Sequence, residues 1–271
     1  MRINLLRKSI WAGILIINLL PVLPQSNDNV EIKAPPAYLQ LDPFYKKYVD
    51  ANGIPIISSW RVPDKALLKA RDIVTYMTKL LPKPVFEKLL EHKVRVGVMG
   101  RYEGTTDIPE HHHLVNDTSI NWDLRARGLG GDIDLPLTTC AEENLLCYQI
   151  DKYHAEDILI HEFAHTIHLV GIHEVDTSIN TRLQKALNKA LSEGKWVNTY
   201  AATNIEEYWA EGVQDWFNVN AEVQVTNGKH CFVNTRDELK EYDPGLYAIL
   251  KAYFPETNGL ISCHSVPFKK E

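Results

Sequence analysis

Residues 161–165 read His-Glu-Phe-Ala-His. On a helix, positions i and i+4 lie on one face about one turn apart, so two imidazoles at this spacing can share one Zn2+ ion. Glu162, one residue after the first imidazole, can reach a water held by the ion and take its proton during attack on a carbonyl. The flanking residues Ile158, Leu159, Ile160, Ala164, Ile167 and Val170 are apolar, as a buried helix requires. The chemistry to which this segment points is metal-assisted hydrolysis.

Such a centre needs a third protein ligand and one open position. His168 follows His161 at i+7 on roughly the same face, His173 lies beyond Gly171, and acids occur on a later segment. The metzincin pattern HExxHxxGxxH fails, because His168 holds its glycine position and Gly171 its third histidine position. A carboxylate is therefore favoured, with His168 as the alternative ligand. In Ile205-Glu-Glu-Tyr-Trp-Ala-Glu211, Glu207 and Glu211 share a face, whereas Glu206 points about 100° away. Glu207 is the expected ligand. Glu211 can accept a hydrogen bond from a ligating histidine and set its tautomer. A solvated acidic face is the competing reading, but Tyr208, Trp209, Val213, Trp216 and Phe217 surround these acids, and buried carboxylates are rarely left unpaired.

These side chains must be carried by helices. The pattern predicts one from about Ala155 to Val170, stopped by Gly171, and one from the cap Asp176 to Glu193, closed by Gly194. A third runs from the cap Asn204 to Asn218, and a last one opens at Asp243-Pro244 and ends before Pro255. Earlier in the chain, Asp64 is placed to cap a helix to Leu81, Val85–Glu91 forms a short helix, and Lys93–Met99 alternates like a strand. Residues 100–150 are loop-rich, with His111, His112 and His113 and the glycines Gly128, Gly130 and Gly131. The histidine run reads as a solvated loop or, alternatively, a second metal site. The order predicts an α+β chain, with residues 27–63 as an extended lead-in and 64–271 as one domain.

The 271 residues are 45% hydrophobic and 24% charged, with net charge −6. That balance is ordinary for a globular protein, and without a basic stripe nucleic acid is not an expected partner. Residues 1–26 read as a secretory signal: Arg2, Arg7 and Lys8 precede a short apolar run, Ile10 to Leu20. The run is too short for a membrane span, so the mature chain is expected to be secreted, with an uncleaved signal anchor as the alternative. Four cysteines fit an oxidising compartment. Nearness in the chain favours Cys140 with Cys147 and Cys231 with Cys263, though three connectivities exist and one pair can be buried and free. Asn116-Asp-Thr is a glycosylation sequon, expected on a surface loop. Oligomeric state is not legible.

His161-Glu-Phe-Ala-His, followed about forty residues later by Tyr200-Ala-Ala-Thr-Asn-Ile-Glu-Glu-Tyr-Trp-Ala-Glu211, resembles the catalytic domain of anthrax lethal factor and related gluzincin peptidases. The resemblance covers roughly residues 155–218. It implies a zincin-like metallopeptidase domain: a small twisted sheet and the HExxH helix in an upper lobe, and a helical C-terminal lobe that brings Glu207. It implies zinc on His161, His165 and Glu207, and the Tyr200 hydroxyl on the oxyanion of the reaction. Strand 93–99 would be an edge against which an extended peptide pairs. The strings DPFYKKYVDANGIP, RVGVMGRYEGTTDIPEH and CAEENLLC also resemble a group of predicted secreted proteins with no assigned activity. The expected function is a secreted zinc endopeptidase acting on peptide or protein substrates. The alternatives are a catalytically silent binding protein of the same fold, or a zinc hydrolase acting on a non-peptide amide.

Overall fold

The computed structural model describes residues 30–260 and 262–266. The signal-like residues 1–26 lie outside them. The architecture is α+β, a mixed four-stranded sheet with helices packed against it. Strands β1 (Lys47–Ala51) and β2 (Ile54–Ser58) form an antiparallel hairpin. Asn52 and Gly53 turn it, with φ of 56° and 91°, the backbone that a tight two-residue hairpin turn needs. Strands β3 (Arg95–Met99) and β4 (Leu137–Ala141) then add in parallel, in the order β1-β2-β3-β4.

Two expectations are corrected here. The segment read as an extended lead-in supplies β1 and β2, half of the sheet. Ile54, Ile56 and Ile57 are fully buried, and a strand covered on both faces reads as an apolar run without alternation. Strand β3 is interior, so it is not the free edge. The edges are β1 and β4, and part of the outer side of each is taken by an antiparallel bridge, Lys33 to Tyr48 and Leu129 to Thr139.

Helices α1 (Asp64–Leu80) and α2 (Lys83–Glu91) lie between β2 and β3, and α3 (Trp122–Arg125) and α4 (Glu142–Leu145) are single turns. Helix α5 (Ile158–Thr166) runs on through a π-helical stretch, 167–172, into the short α6 (His173–Val175). Gly171 therefore does not stop the helix. It is a point of close approach, since a Cβ there would lie 2.9 Å from Val85 Cγ1 on α2. Asp64 makes no capping bond and instead holds the Lys47 ammonium at 2.6 Å. Helices α7 (Ile179–Ser192), α8 (Ile205–Trp216), α9 (Arg236–Tyr242) and α10 (Pro244–Lys251) complete the C-terminal part. One continuous apolar core runs from the sheet through α5 to α8 and α10. Within it, the buried Trp209 of α8 donates its indole N–H to the Ala164 carbonyl of α5 at 2.9 Å, which holds the two helices in register. Among the described residues, no helix is long and apolar enough to cross a membrane.

Candidate active site

Helix α5 begins at a fixed point. The Asp157 carboxylate accepts the Ile160 N–H at 3.1 Å and the Ser262 hydroxyl at 2.6 Å, and Asn144 Oδ1 accepts the Ile158 N–H at 2.9 Å. His161 and His165 then project from one face, Nε2 to Nε2 at 3.2 Å. Helix α8 delivers Glu207 in its first turn, where the cap Asn204 accepts the Glu207 backbone N–H at 2.8 Å. Glu207 Oε2 lies 3.1 Å from His161 Nε2 and 3.5 Å from His165 Nε2. Three atoms able to ligate a metal thus meet, although their residues lie on two helices.

The ring of His161 is oriented from behind by Gln214, which the sequence reading passed over. Gln214 Nε2 donates to the Asp157 carbonyl at 3.2 Å, so its oxygen faces His161 Nδ1 at 2.9 Å. That oxygen can only accept, so Nδ1 carries a proton, and Nε2 is the ring atom that faces Glu207 and His165 and would bind a metal. The signal was present as the stripe Glu207, Glu211, Gln214, spaced i, i+4, i+7 on one face. The hydrogen bond expected of Glu211 is therefore made by Gln214. Glu211 is fully buried, with one oxygen 3.7 Å from His161 Nδ1 and the other accepting the Asn220 amide at 3.1 Å.

The electrostatics favour positive charge at this point. Burial alone would lower the His161 pKa, but Glu207, Glu162 and Glu211 reverse this and push it up to about 10. Burial would raise the Glu207 carboxyl, yet the two imidazoles hold it far below the usual carboxylate range. What would hold a proton here would equally hold a metal cation. Glu162 is half-buried on the floor of the cleft, and loss of solvent raises its carboxyl while His161 and His165 pull it down.

The cleft has a volume of about 500 Å³, and His161, Glu162, His165, Glu207, Tyr200 and Arg125 are among its lining residues. Tyr200 stands just before α8 in a short 3-10 helix, its ring nearly parallel to His161 with centroids 6.3 Å apart. The Arg125 guanidinium lines the same part of the cleft, and its positive charge opposes the rise that burial and Glu207 impose on the Tyr200 phenol. Sequence reasoning did not single out Arg125, which sits on a one-turn helix in a loop-rich region. The glycine cluster has a steric purpose. A Cβ on Gly130 would lie 2.6 Å from His165 Cβ, and one on Gly128 would lie 2.6 Å from Ile158 Cγ2. Glycine is what allows this rim to lie flat against α5.

Other candidate residues lie elsewhere. His168 is fully buried, donates Nε2–H to Asn180 Oδ1 at 2.8 Å and packs by Trp209, so it does not join the triad. Asn116 is exposed at the end of a 3-10 helix, Pro109–Asn116, that also carries His111–His113. The His112 and His113 rings bond nearby backbone carbonyls at 3.1 Å and do not converge on a common point. The cysteine pairing is corrected: the bridge is Cys147–Cys263, with Cys140 and Cys231 free and buried. Nearness in the chain misled, because Cys140 belongs to β4 and sits in the core, whereas Cys147 follows the α4 turn and meets the C-terminal segment.

No protein-family model matches the chain, and no curated protein sequence matches it. Among solved structures, it is similar to the Pro-Pro endopeptidase PPEP-2 from Paenibacillus alvei. The TM-score is 0.48 at 16% identity, over 72% of this chain and 96% of that one.

Proposed function

We propose that this chain is a secreted zinc peptidase of the zincin type, with His161, His165 and Glu207 as metal ligands, Glu162 as general base and Tyr200 as oxyanion donor. The observation that carries the reading is the convergence of two imidazole nitrogens and one carboxylate oxygen at 3.1, 3.2 and 3.5 Å. Ligand atoms of a tetrahedral zinc, with bonds of about 2.0–2.1 Å, stand roughly 3.3 Å apart, so the residues fit the ion. Zinc held there supplies Lewis acidity to water and to a carbonyl.

The chain's own groups do the rest. Glu162 is exposed to the cleft one residue beyond His161, placed to take a proton from the attacking water and pass it to the leaving amine. Burial raises its pKa, which makes its carboxylate a stronger base toward the proton of the attacking water. The positive charge of Arg125 near Tyr200 favours a developing oxyanion there, and the Tyr200 O–H is placed to donate to it. Gln214 keeps the His161 lone pair aimed into the site. The signal-like residues 1–26 and the Cys147–Cys263 bridge support an oxidising, extracellular setting, and the open cleft supports a peptide as substrate.

The test is Glu162→Gln, assayed by metal analysis together with digestion of a degenerate peptide library. The variant should keep its zinc and lose turnover by about 10²–10⁴-fold. Unchanged cleavage would end the general-base assignment, and a metal-free wild-type protein would end the zinc reading.

A further inference from the structure

A second group of metal-ligating side chains lines the same cleft. Glu156 stands just before α5, Glu211 lies one turn beyond Glu207 on α8, and His230 comes from the segment between α8 and α9. One ligand atom from each lies within 4.8 Å of the others. His230 Nε2 is 3.6 Å from Glu156 Oε1, and its Nδ1 is 3.9 Å from Glu211 Oε2. Neither distance is a hydrogen bond, and the buried His230 Nδ1 has no hydrogen-bond partner. A charged pair free to close would contract to about 2.7–2.9 Å. These groups stand apart instead, somewhat wider than the roughly 3.3 Å between ligand atoms of one tetrahedral ion, so a bound cation would draw them in.

The surroundings are short of positive charge. The Glu156, Glu211 and His230 side chains are only 10, 4 and 11% exposed, so bulk water does little to screen them. Asp215 is fully buried close by, and Asn220 Nδ2 bridges Glu211 at 3.1 Å and Asp215 at 2.8 Å, yet Asp215 Oδ2 has no partner. The neighbouring Lys229 ammonium lies over the Tyr153 ring, 5.7 Å from its centroid. Three buried carboxylates face the His230 imidazole and, from Glu211, the His161 ring at 3.7 Å, and a cation bound between Glu156, Glu211 and His230 would offset their crowding.

We propose that Glu156, Glu211 and His230 form a second cation site, separate from the His161–His165–Glu207 triad. One imidazole and two carboxylates suit a divalent transition ion, Zn2+ or Mn2+. Glu211 links the two sites, with one oxygen facing His161 and the other facing His230. The second site does not rest on the peptidase reading.

The full chain is stripped with chelator, titrated with Zn2+ and in parallel with Mn2+, then desalted, and bound metal is measured per chain. The second site predicts two ions on the unmodified protein for at least one of the two metals. It predicts one on His230→Gln, one on Glu156→Gln and one on His165→Ala. A single ion that survives His165→Ala but is lost in His230→Gln also supports it, while removing the triad reading. A stoichiometry of one on the unmodified protein that is abolished by His165→Ala overturns the second site and leaves the triad standing. Two ions retained by both His230→Gln and Glu156→Gln overturn it as well. Should either variant fail to fold, as judged by its thermal transition, the stoichiometry of the unmodified and His165→Ala proteins decides.

Discussion

The His161 ring is set by an amide, not an acid. Gln214 accepts from Nδ1 at 2.9 Å, and its own orientation is fixed by its donation to the Asp157 carbonyl. Partners of this kind are worth 10- to 100-fold in metal affinity. Gln214→Leu should weaken zinc binding by about that factor while leaving the unfolding transition of the metal-free protein within about 2 kcal/mol, read by competition with a chromophoric chelator. Unchanged affinity would show that the ring is held by packing alone. His168 illustrates the opposite use of the same residue type. Burial pushes its pKa down to about 4, and its Nδ1 has no acceptor to receive a proton's hydrogen bond. With the folded value below the unfolded one of about 6.5, the unfolded chain binds the proton more readily, so the contribution is present above that value and is lost as pH falls through about 4. Denaturant unfolding between pH 7 and pH 4 should show a loss on the order of 3 kcal/mol from this group, absent in His168→Phe. Equal pH slopes in the two proteins would refute the assignment.

At the scale of elements, the site is a meeting of two helix starts. Helix α5 is capped by Asp157 four residues before His161, and α8 by Asn204 three residues before Glu207. Each cap sets the phase at which its helix presents a candidate metal ligand. Asn204→Ala should cost about 1 kcal/mol in stability and also weaken zinc binding, because the bond it removes is the one to the Glu207 N–H. A stability loss with metal affinity intact would separate capping from ligand placement. Elements that the sequence made visible were those with local punctuation. The caps Asn204 and Asp243 and the stop at Gly194 all act near their expected positions. Strand β4 was not visible, because its five residues are all buried and show no alternation, and the β1–β2 hairpin was overlooked despite Asn52-Gly53.

At the scale of the molecule, the bridge Cys147–Cys263 joins residues 116 apart and ties the C-terminal segment to the start of the site. Beside it, Ser262 donates to the Asp157 cap at 2.6 Å and His264 Nε2 donates to the Asn144 carbonyl at 2.9 Å. Replacing both cysteines by serine should cost about 2–5 kcal/mol and speed amide exchange at Ile158–Ile160, measured by hydrogen exchange. Stability loss without faster exchange there would place the effect of the bridge in the unfolded chain alone.

Local order was enough to identify the His161–Glu162–His165 segment, the face shared by Glu207 and Glu211, and most helix starts. Helical periodicity and caps are properties of a few neighbouring residues, so they can be read along the chain. Tertiary structure alone decided the rest. The cysteine partners, the interior place of β3, the removal of His168 to its own buried niche, and the meeting of Gln214 with His161 all depend on contacts between distant segments. Such contacts are chosen by the packing of one shared core, and no local pattern encodes which of several similar side chains that packing brings together.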